Sequence, residues 1–151
     1  MSLPEIEAEF PRLRVDGYSK SSEASEDYNC IAFTADDTTE KWDPDNTPGR
    51  YWPEGVPRTL DLQSFIQLFD VEGGYVVCDN DSLEDGIEKI AIFWSLSQEV
   101  THAARQLESG AWTSKLGDWE DIEHNKLSSL EGPSYGRVAK IMKRPRKAKH
   151  A

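Results

Sequence analysis

Apolar and polar positions recur with two different periods, which divide the chain into helical and strand segments. Apolar residues at positions 62, 65, 66 and 69 recur every three or four residues, which is the pattern of an amphipathic helix. Thr59 is the predicted cap of this helix, and Gly73-Gly74 is predicted to end it. Residues 75–78 indicate a short strand. Residues 89–94 are almost continuously apolar, as in a strand buried on both faces.

The second half of the chain predicts a hairpin, a helix and a last strand. Residues 99–107 and 111–116 flank Glu108-Ser109-Gly110 as two strands flank a turn. Asp118 is predicted to cap a helix over residues 119–129, and residues 135–142 are predicted to form the final strand. A short helix is also expected at residues 82–85, where the spacing of Ser and Asp resembles a capping box.

A change in character at residues 27–33 predicts a short helix that begins near Cys30. Asp27 or Asn29 supplies the side chain that caps it. A loop over residues 42–58 follows and is dense in Trp, Tyr, Pro and Gly. Long loops with several large aromatic side chains usually pack over another part of the protein, so we expect this loop to be ordered.

Together these elements predict an α+β fold with a mostly antiparallel sheet packed against an N-terminal helix that carries Cys30. The length of 151 residues suits one ordinary domain. We expect this single α+β domain over residues 1–142 and a basic flexible tail over residues 143–151.

The charge is distributed unevenly along the chain. The formal net charge is −11, but residues 137–151 hold seven basic residues and no acid. The first 136 residues therefore hold ten basic and 28 acidic side chains, a net charge of −18. Such a main body repels phosphates, which argues against nucleic acid and favours a basic protein as a partner.

Other features exclude further classes of protein. No apolar run approaches the length of a transmembrane helix, so no membrane association is expected. The first residues lack the layout of a secretory signal, and two cysteines make no disulfide framework. These features favour a cytoplasmic protein with reduced thiols. No nucleotide-binding glycine motif and no close metal-ligand spacing is present, so we expect no cofactor and no metal.

Cys30, His102 and Asp121 are the candidate catalytic residues. A cysteine in the first turn of a helix lies at the positive end of the helix dipole, which favours the thiolate. His102 lies within a predicted strand among small residues and is the candidate base, with Asp121 to orient it. The alternatives are a small buried cysteine, a structural histidine and an acid that only stabilises the first turn of a helix.

Five further residues are candidates for ligand binding. Trp52 belongs to the aromatic loop, which would form a wall of the cleft. The others cluster near the open end of the predicted hairpin, where a pairing of residues 108 and 111 would place residue 102 opposite residue 117. They are Ser114, Lys115, Asp118 and His124.

Three segments share their order with a family of peptidases. Residues 29–33 (NCIAF) resemble the Asp-Cys-Ser-Gly-Phe helix start of the papain-like NlpC/P60 cysteine peptidases. Residues 89–93 (KIAIF) are similar to their His-Val-Gly-Ile-Tyr strand, and residues 100–103 (VTHA) to their later Phe-Ile-His-Ala strand. The resemblance spans roughly residues 27–117 and implies a cysteine-bearing helix packed on a sheet that carries the histidine. It departs at Lys89, which stands where those peptidases have their catalytic histidine.

A second resemblance is more specific but implies no activity. The chain resembles a bacterial family of uncharacterised small proteins that share YNCIAF, THAARQL, W-x-SKLG and D-I-x-H motifs. Here these motifs are residues 28–33, 101–107, 112–117 and 121–124.

Two function classes follow from the sequence. The first is a cysteine-dependent hydrolase or acyltransferase that acts on an amide or thioester of a small-molecule or peptide substrate through a Cys30–His102 dyad. The alternative is a non-catalytic acidic interaction protein on the same fold, for example an immunity-like protein that neutralises a basic partner.

Overall fold

The computed structural model describes residues 3–45 and 47–146. Its α-helices are α1 (Pro4–Glu9), α2 (Arg12–Asp16), α3 (Cys30–Thr34) and α4 (Leu62–Gly73). A 3-10 helix spans Leu127–Leu130. The strands are β1 (Tyr18–Ser22), β2 (Lys41–Trp42), β3 (Arg50–Tyr51), β4 (Val76–Cys78), β5 (Ile87–Trp94), β6 (Val100–Gln106), β7 (Trp112–Lys115), β8 (Asp121–His124) and β9 (Arg137–Pro145).

Seven strands form one antiparallel sheet in the order β1-β8-β7-β6-β5-β9-β4. The strands β2 and β3 form a separate parallel pair in the aromatic loop. This arrangement confirms the predicted α+β class and the mostly antiparallel sheet. In the part of the chain that the structure describes, no helix is both long and apolar enough to cross a membrane.

Both faces of the sheet are covered, and the two faces hold different elements. The front face carries Ile90, Ile92 and Ala103, which pack with α3, α4 and the aromatic loop. The back face carries Ala91, Phe93 and Ala104, which pack with α1, α2 and the 3-10 helix. Side chains alternate between the faces along each strand, so neighbouring residues of one strand contact different halves of the core.

The helix α4 forms where its apolar period predicts it, with a different cap. The Asp61 carboxylate accepts a hydrogen bond from the Ser64 N–H at 2.9 Å, so Asp61 and not Thr59 caps the helix. Gly74 ends it in the left-handed conformation, with φ of 71°. The Thr59 hydroxyl instead donates to Asp61 at 3.0 Å, which holds the capping carboxylate in place.

Two predicted helices are wrong. Residues 119–129 contain strand β8 and the start of the 3-10 helix, because residues 121–124 pair with both β1 and β7. Asp118 is exposed and caps no helix. Residues 82–85 form an irregular loop.

The boundary predicted for the basic tail is also wrong. The last strand continues through residue 143 to Pro145, and its residues 143–145 pair with residues 87–89 of β5. Residues 147–151, the rest of the predicted tail, lie outside the described residues.

Candidate functional site

The side chain of Asn29, one of the two caps that the sequence left open, fixes the start of α3. Its Oδ1 accepts hydrogen bonds from the N–H groups of Ala32 and Trp42, both at 3.1 Å. Its Nδ2 donates to the Trp42 carbonyl at 2.8 Å. The same side chain therefore caps the helix and attaches the aromatic loop beside Cys30.

Cys30 is half-buried and lines a narrow cleft of about 130 Å³ together with Trp42, Asp43 and Thr101. Burial raises the pKa of the thiol to about 11, although backbone hydrogen bonds of Ala103 and Ile31 act in the opposite direction. The helix has only five residues, and its dipole does not compensate for desolvation. Cys30 is therefore protonated at neutral pH, contrary to the thiolate that its position predicted.

His102 lies on the other side of the sheet from Cys30. The helix α3 packs on the front face, on β6 and β7, where Ala103 contacts it. His102 points to the back face, where its ring stacks on Tyr135 with ring centroids 4.1 Å apart. Phe93, its partner on β5, contacts the ring at its edge. The predicted Cys30–His102 dyad is wrong, because the sheet separates the two side chains.

Asp121 also does not orient His102. Its neighbour on β8, Ile122, packs on the back face, so Asp121 points to the front. There its Oδ2 accepts hydrogen bonds from the hydroxyls of Tyr28 and Ser22. The predicted orienting role of Asp121 is therefore wrong.

Lys115 lies beside Asp121 on the front face and is fully buried. Its ammonium donates to the Trp119 carbonyl and lies 5.1 Å from the centre of the Tyr28 ring. Burial lowers the pKa of Lys115, whereas Asp121 and Asp118 act to raise it. The predicted binding residue Lys115 thus holds a buried polar cluster together and lines none of the clefts described below.

Two other predicted binding residues, Ser114 and His124, form a buried hydrogen-bonded chain with His102. Their spacing follows from three adjacent strands, β6, β7 and β8. His102 Nε2 lies 3.1 Å from Ser114 Oγ, and Ser114 Oγ lies 2.8 Å from His124 Nε2. His124 Nδ1 lies 3.0 Å from the Lys126 carbonyl, which can only accept, so Nδ1 carries the proton.

The proton on His124 Nδ1 determines where the protons of Ser114 and His102 lie in this hydrogen-bonded chain. His124 Nε2 accepts from the Ser114 hydroxyl, and Ser114 Oγ accepts from the Nε2–H of His102. His102 Nδ1 is then an acceptor, and it is buried without a partner among the described residues. Burial and the charge of His124 lower the pKa of His102 well below its usual value, and burial lowers the pKa of His124 to about 4. Both histidines are neutral and structural at physiological pH.

The remaining predicted residues, Trp52 and Asp118, do not form a wall around Cys30. Trp52 is buried, donates from Nε1 to the Val56 carbonyl at 3.1 Å and packs edge-on against Phe65. Trp42 is the tryptophan that lines the Cys30 cleft. Asp118 is exposed and pairs with Lys41 at 3.7 Å.

A second polar cleft lies on the front face, and sequence reasoning missed it. We call it the arginine cleft, after Arg105, Arg144 and Arg146 in its lining, and its volume is about 500 Å³. The three guanidinium groups surround the buried carboxylate of Glu88. The residues come from β5, from β6, from the end of β9 and, for Arg146, from the position just after it, so the cleft depends on β9 extending beyond its predicted end.

Glu88 holds the floor of the arginine cleft together. Its Oε1 lies 2.7 Å from Arg144 Nη2 and accepts from the Tyr75 hydroxyl at 3.0 Å. Its Oε2 lies 3.5 Å from Arg146 Nη1 and 3.9 Å from Arg105 Nη1. Burial alone would raise the pKa of Glu88, but Arg144, Tyr75 and Arg105 hold that pKa below its usual value. Glu88 is therefore ionised, and the four floor charges sum to +2.

The fold and these two clefts define a small α+β protein that carries two covered sheet faces and an arginine-lined front cleft. The chain belongs to the family described as a domain of unknown function (DUF7689), whose profile matches residues 19–143. No curated protein and no solved structure matches the chain. The matched region contains the whole sheet except the last residues of β9 and the first of β1, and it leaves out α1 and α2.

Proposed function

We propose that this protein is a binding protein and that the arginine cleft holds the carboxylate or phosphate group of a ligand. The observation that carries the proposal is the excess of positive charge on the floor, where three guanidinium groups share one carboxylate. Guanidinium groups bind carboxylates and phosphates through paired, charge-assisted hydrogen bonds. A ligand anion on the floor would give these guanidinium groups a second acidic partner besides the buried Glu88.

Arg105 is the side chain best suited to contact the ligand. Arg144 is held by Glu88 and by the Gly73 carbonyl, and Arg146 donates to the Ile87 carbonyl at 3.1 Å. Arg105 lies 3.9 Å from the nearest Glu88 oxygen, which is longer than a hydrogen bond. Its Nε–H is buried without an acceptor among the described residues. Such an unmet donor costs about 1–3 kcal/mol, which an incoming oxygen atom would recover.

Acidic side chains at the rim of the cleft restrict the ligand. Asp36, Glu72 and Glu108 line the cleft, and all three are exposed. They would repel a second anionic group placed outside the floor. The arrangement therefore favours a ligand with a single anionic group over a polyanion such as nucleic acid.

Of the two function classes drawn from the sequence, the binding class fits this geometry better. A cysteine hydrolase would need a base on the front face, since His102 lies on the back face. A papain-like fold remains a hypothesis, supported by the packing of the Cys30 helix on the sheet. A basic protein partner for the acidic surface likewise stays a prediction.

Titration of the isotope-labelled protein with inorganic phosphate and with acetate, at constant ionic strength, tests the proposal. We expect saturable shifts of the backbone amides around the arginine cleft. Arg105→Gln should weaken binding by about tenfold or more, since a charge-assisted hydrogen bond is lost. Arg14→Gln is the matched control, because Arg14 is an exposed arginine of α2 and α2 packs on the back face.

Two results would contradict the proposal. The first is the absence of saturable shifts with either anion. The second is an equal loss of binding in Arg105→Gln and Arg14→Gln, which would show a general charge effect. A thermal melt of each variant without ligand verifies that the fold is retained.

A further inference from the structure

A third cleft lies on the back face, at the turn end of the β6–β7 hairpin. Its volume is about 750 Å³, and it lies between the loop of residues 79–83 and residues 125–128. We call it the amide cleft, after Gln106, which ends β6 and lines it. Trp112, the residue paired with Gln106 on β7, forms part of the same lining. It lies on the opposite side of the sheet from the arginine cleft.

Gln106 carries an acceptor that nothing in the described chain satisfies. The side chain is 2% exposed, and its Nε2 donates to the Asp81 carbonyl at 3.1 Å. A carbonyl can only accept, so this bond fixes which end of the amide is nitrogen and which is oxygen. The Oε1 atom is then a buried acceptor without a partner among the described residues. Among the described residues the amide makes this one hydrogen bond, so a ligand donor that reaches Oε1 would meet an unused acceptor.

The residues around Gln106 indicate which kind of donor group the cleft can bind. The acidic residues Asp79, Asp81 and Glu131 line the cleft, and Glu131 Oε2 also accepts from the Val138 N–H at 3.0 Å. Lys126 also lines it, but its ammonium is paired with Asp16 at 3.8 Å. Lys89 donates to Asn80 of the lining and is likewise paired, with Glu84 at 2.6 Å. The lining therefore offers acceptors and negative charge, which suit a cationic donor.

Apolar side chains complete the lining. Leu127, Val138 and Ile141 belong to it together with Trp112. Such a wall contacts methylene groups, while the charged end of an amphipathic chain reaches the polar groups. A flexible aliphatic stem with a terminal cation matches both halves of the cleft.

We propose that the amide cleft binds an ammonium or guanidinium group on an aliphatic stem. The sources of such a group are a free alkylamine and the basic side chain of a polypeptide. In the bound state the cation donates to Gln106 Oε1 and lies among the carboxylates of Asp79 and Asp81. This proposal is independent of the arginine cleft, whose floor is positively charged and which lies on the other face.

The test uses n-butylammonium as the cationic probe and n-butanol as its neutral counterpart. We expect saturable shifts of the Trp112 indole signal with n-butylammonium and much weaker shifts with n-butanol. Gln106→Leu keeps the approximate size of the side chain and removes the Oε1 acceptor together with the Nε2 donor to the Asp81 carbonyl, and it should weaken binding by about tenfold. Gln106→Glu adds a negative charge at the same place and should strengthen binding.

Matched controls separate a lost site from a lost fold. Gln63→Leu makes the same change on the exposed surface of α4 and should leave binding unchanged. If Gln106→Leu fails to fold, Asp79→Asn replaces it, because Asp79 is exposed at the cleft and its change should weaken binding. Equal binding of n-butanol, or equal effects of Gln106→Leu and Gln63→Leu, would overturn the proposal.

Two further arms identify the source of the cation. N-acetyl-lysine amide and a peptide with several lysines are titrated in parallel. A large gain for the peptide supports a basic polypeptide as the natural ligand, and equal affinities support a small amine. Absence of binding by n-butylammonium and by both lysine probes overturns the site, whatever the arginine cleft does with anions.

Discussion

The buried histidine chain predicts a specific loss of stability in mild acid. Burial lowers the pKa of His124 from 6.5 to about 4 in the folded protein. The folded state therefore favours the neutral ring, and the unfolded state takes up a proton first as the pH falls. The stability that depends on a neutral His124 is complete above pH 6.5 and is lost as the pH falls from 6.5 towards 4.

The magnitude follows from the two pKa values. Between about pH 7.5 and about pH 5 the contribution of His124 to the free energy of unfolding falls by about 2 kcal/mol. Urea unfolding at both pH values measures it. His124→Asn retains an N–H that can donate to the Lys126 carbonyl and removes the titrating ring. This variant should lose about 2 kcal/mol less than the wild type over the same interval, whatever its stability at the higher pH.

The test compares how much the free energy of unfolding changes between the two pH values. A loss of stability that is the same at both pH values therefore does not affect the result. Glu123→Gln is the control, since residue 123 is exposed on the same strand and lies outside the buried chain. It should keep the wild-type slope in this interval. An unchanged slope in His124→Asn would refute the argument, because no ring proton would then be coupled to unfolding.

Three further predictions concern the front face and one turn. Asn29→Ala removes the cap of α3 and the anchor of the aromatic loop, and should lower the free energy of unfolding by about 2 kcal/mol in urea titrations. In a Cys78→Ser background, alkylation of Cys30 by iodoacetamide near pH 7 should be much slower than that of free cysteine, since its pKa is about 11; fast labelling would contradict this. Gly136→Ala should lower the melting temperature strongly, because φ is 76° there and a Cβ would lie 1.9 Å from the Trp94 carbonyl oxygen; an unchanged melting temperature would contradict it.

The sequence correctly predicts those elements whose hydrophobic periodicity is complete within a single segment of the chain. The helix α4, the strand β5, the hairpin of β6 and β7, and the start of α3 at Asn29 are all correct. Residues 121–124 show why others fail. Their apolar spacing with residues 119 and 127 also fits a helix, and only pairing with β1 and β7 makes them a strand.

The position of His102 relative to Cys30 could not be predicted, because strand β6 is covered on both faces of the sheet. Its residues are buried or half-buried without a polar and apolar alternation, so the sequence does not show to which face His102 points. The observed register of the β6–β7 hairpin also differs by one residue from the predicted one, since Gln106 and not Leu107 pairs with Trp112. The arginine cleft was missed for a different reason, because a run of basic residues around Pro145 resembles a tail.

The position of β9 has a consequence for the order in which the protein can fold during synthesis. This strand is the last of the described strands in sequence, but it lies inside the sheet between β5 and β4, and β4 has no other partner in the described sheet. Before residues 137–145 leave the ribosome, β5 exposes an open edge and β4 has nothing to pair with. The sheet can therefore close only after residues 137–145 have been synthesised. A nonsense mutation before residue 137 should therefore leave an aggregation-prone chain with an incomplete sheet.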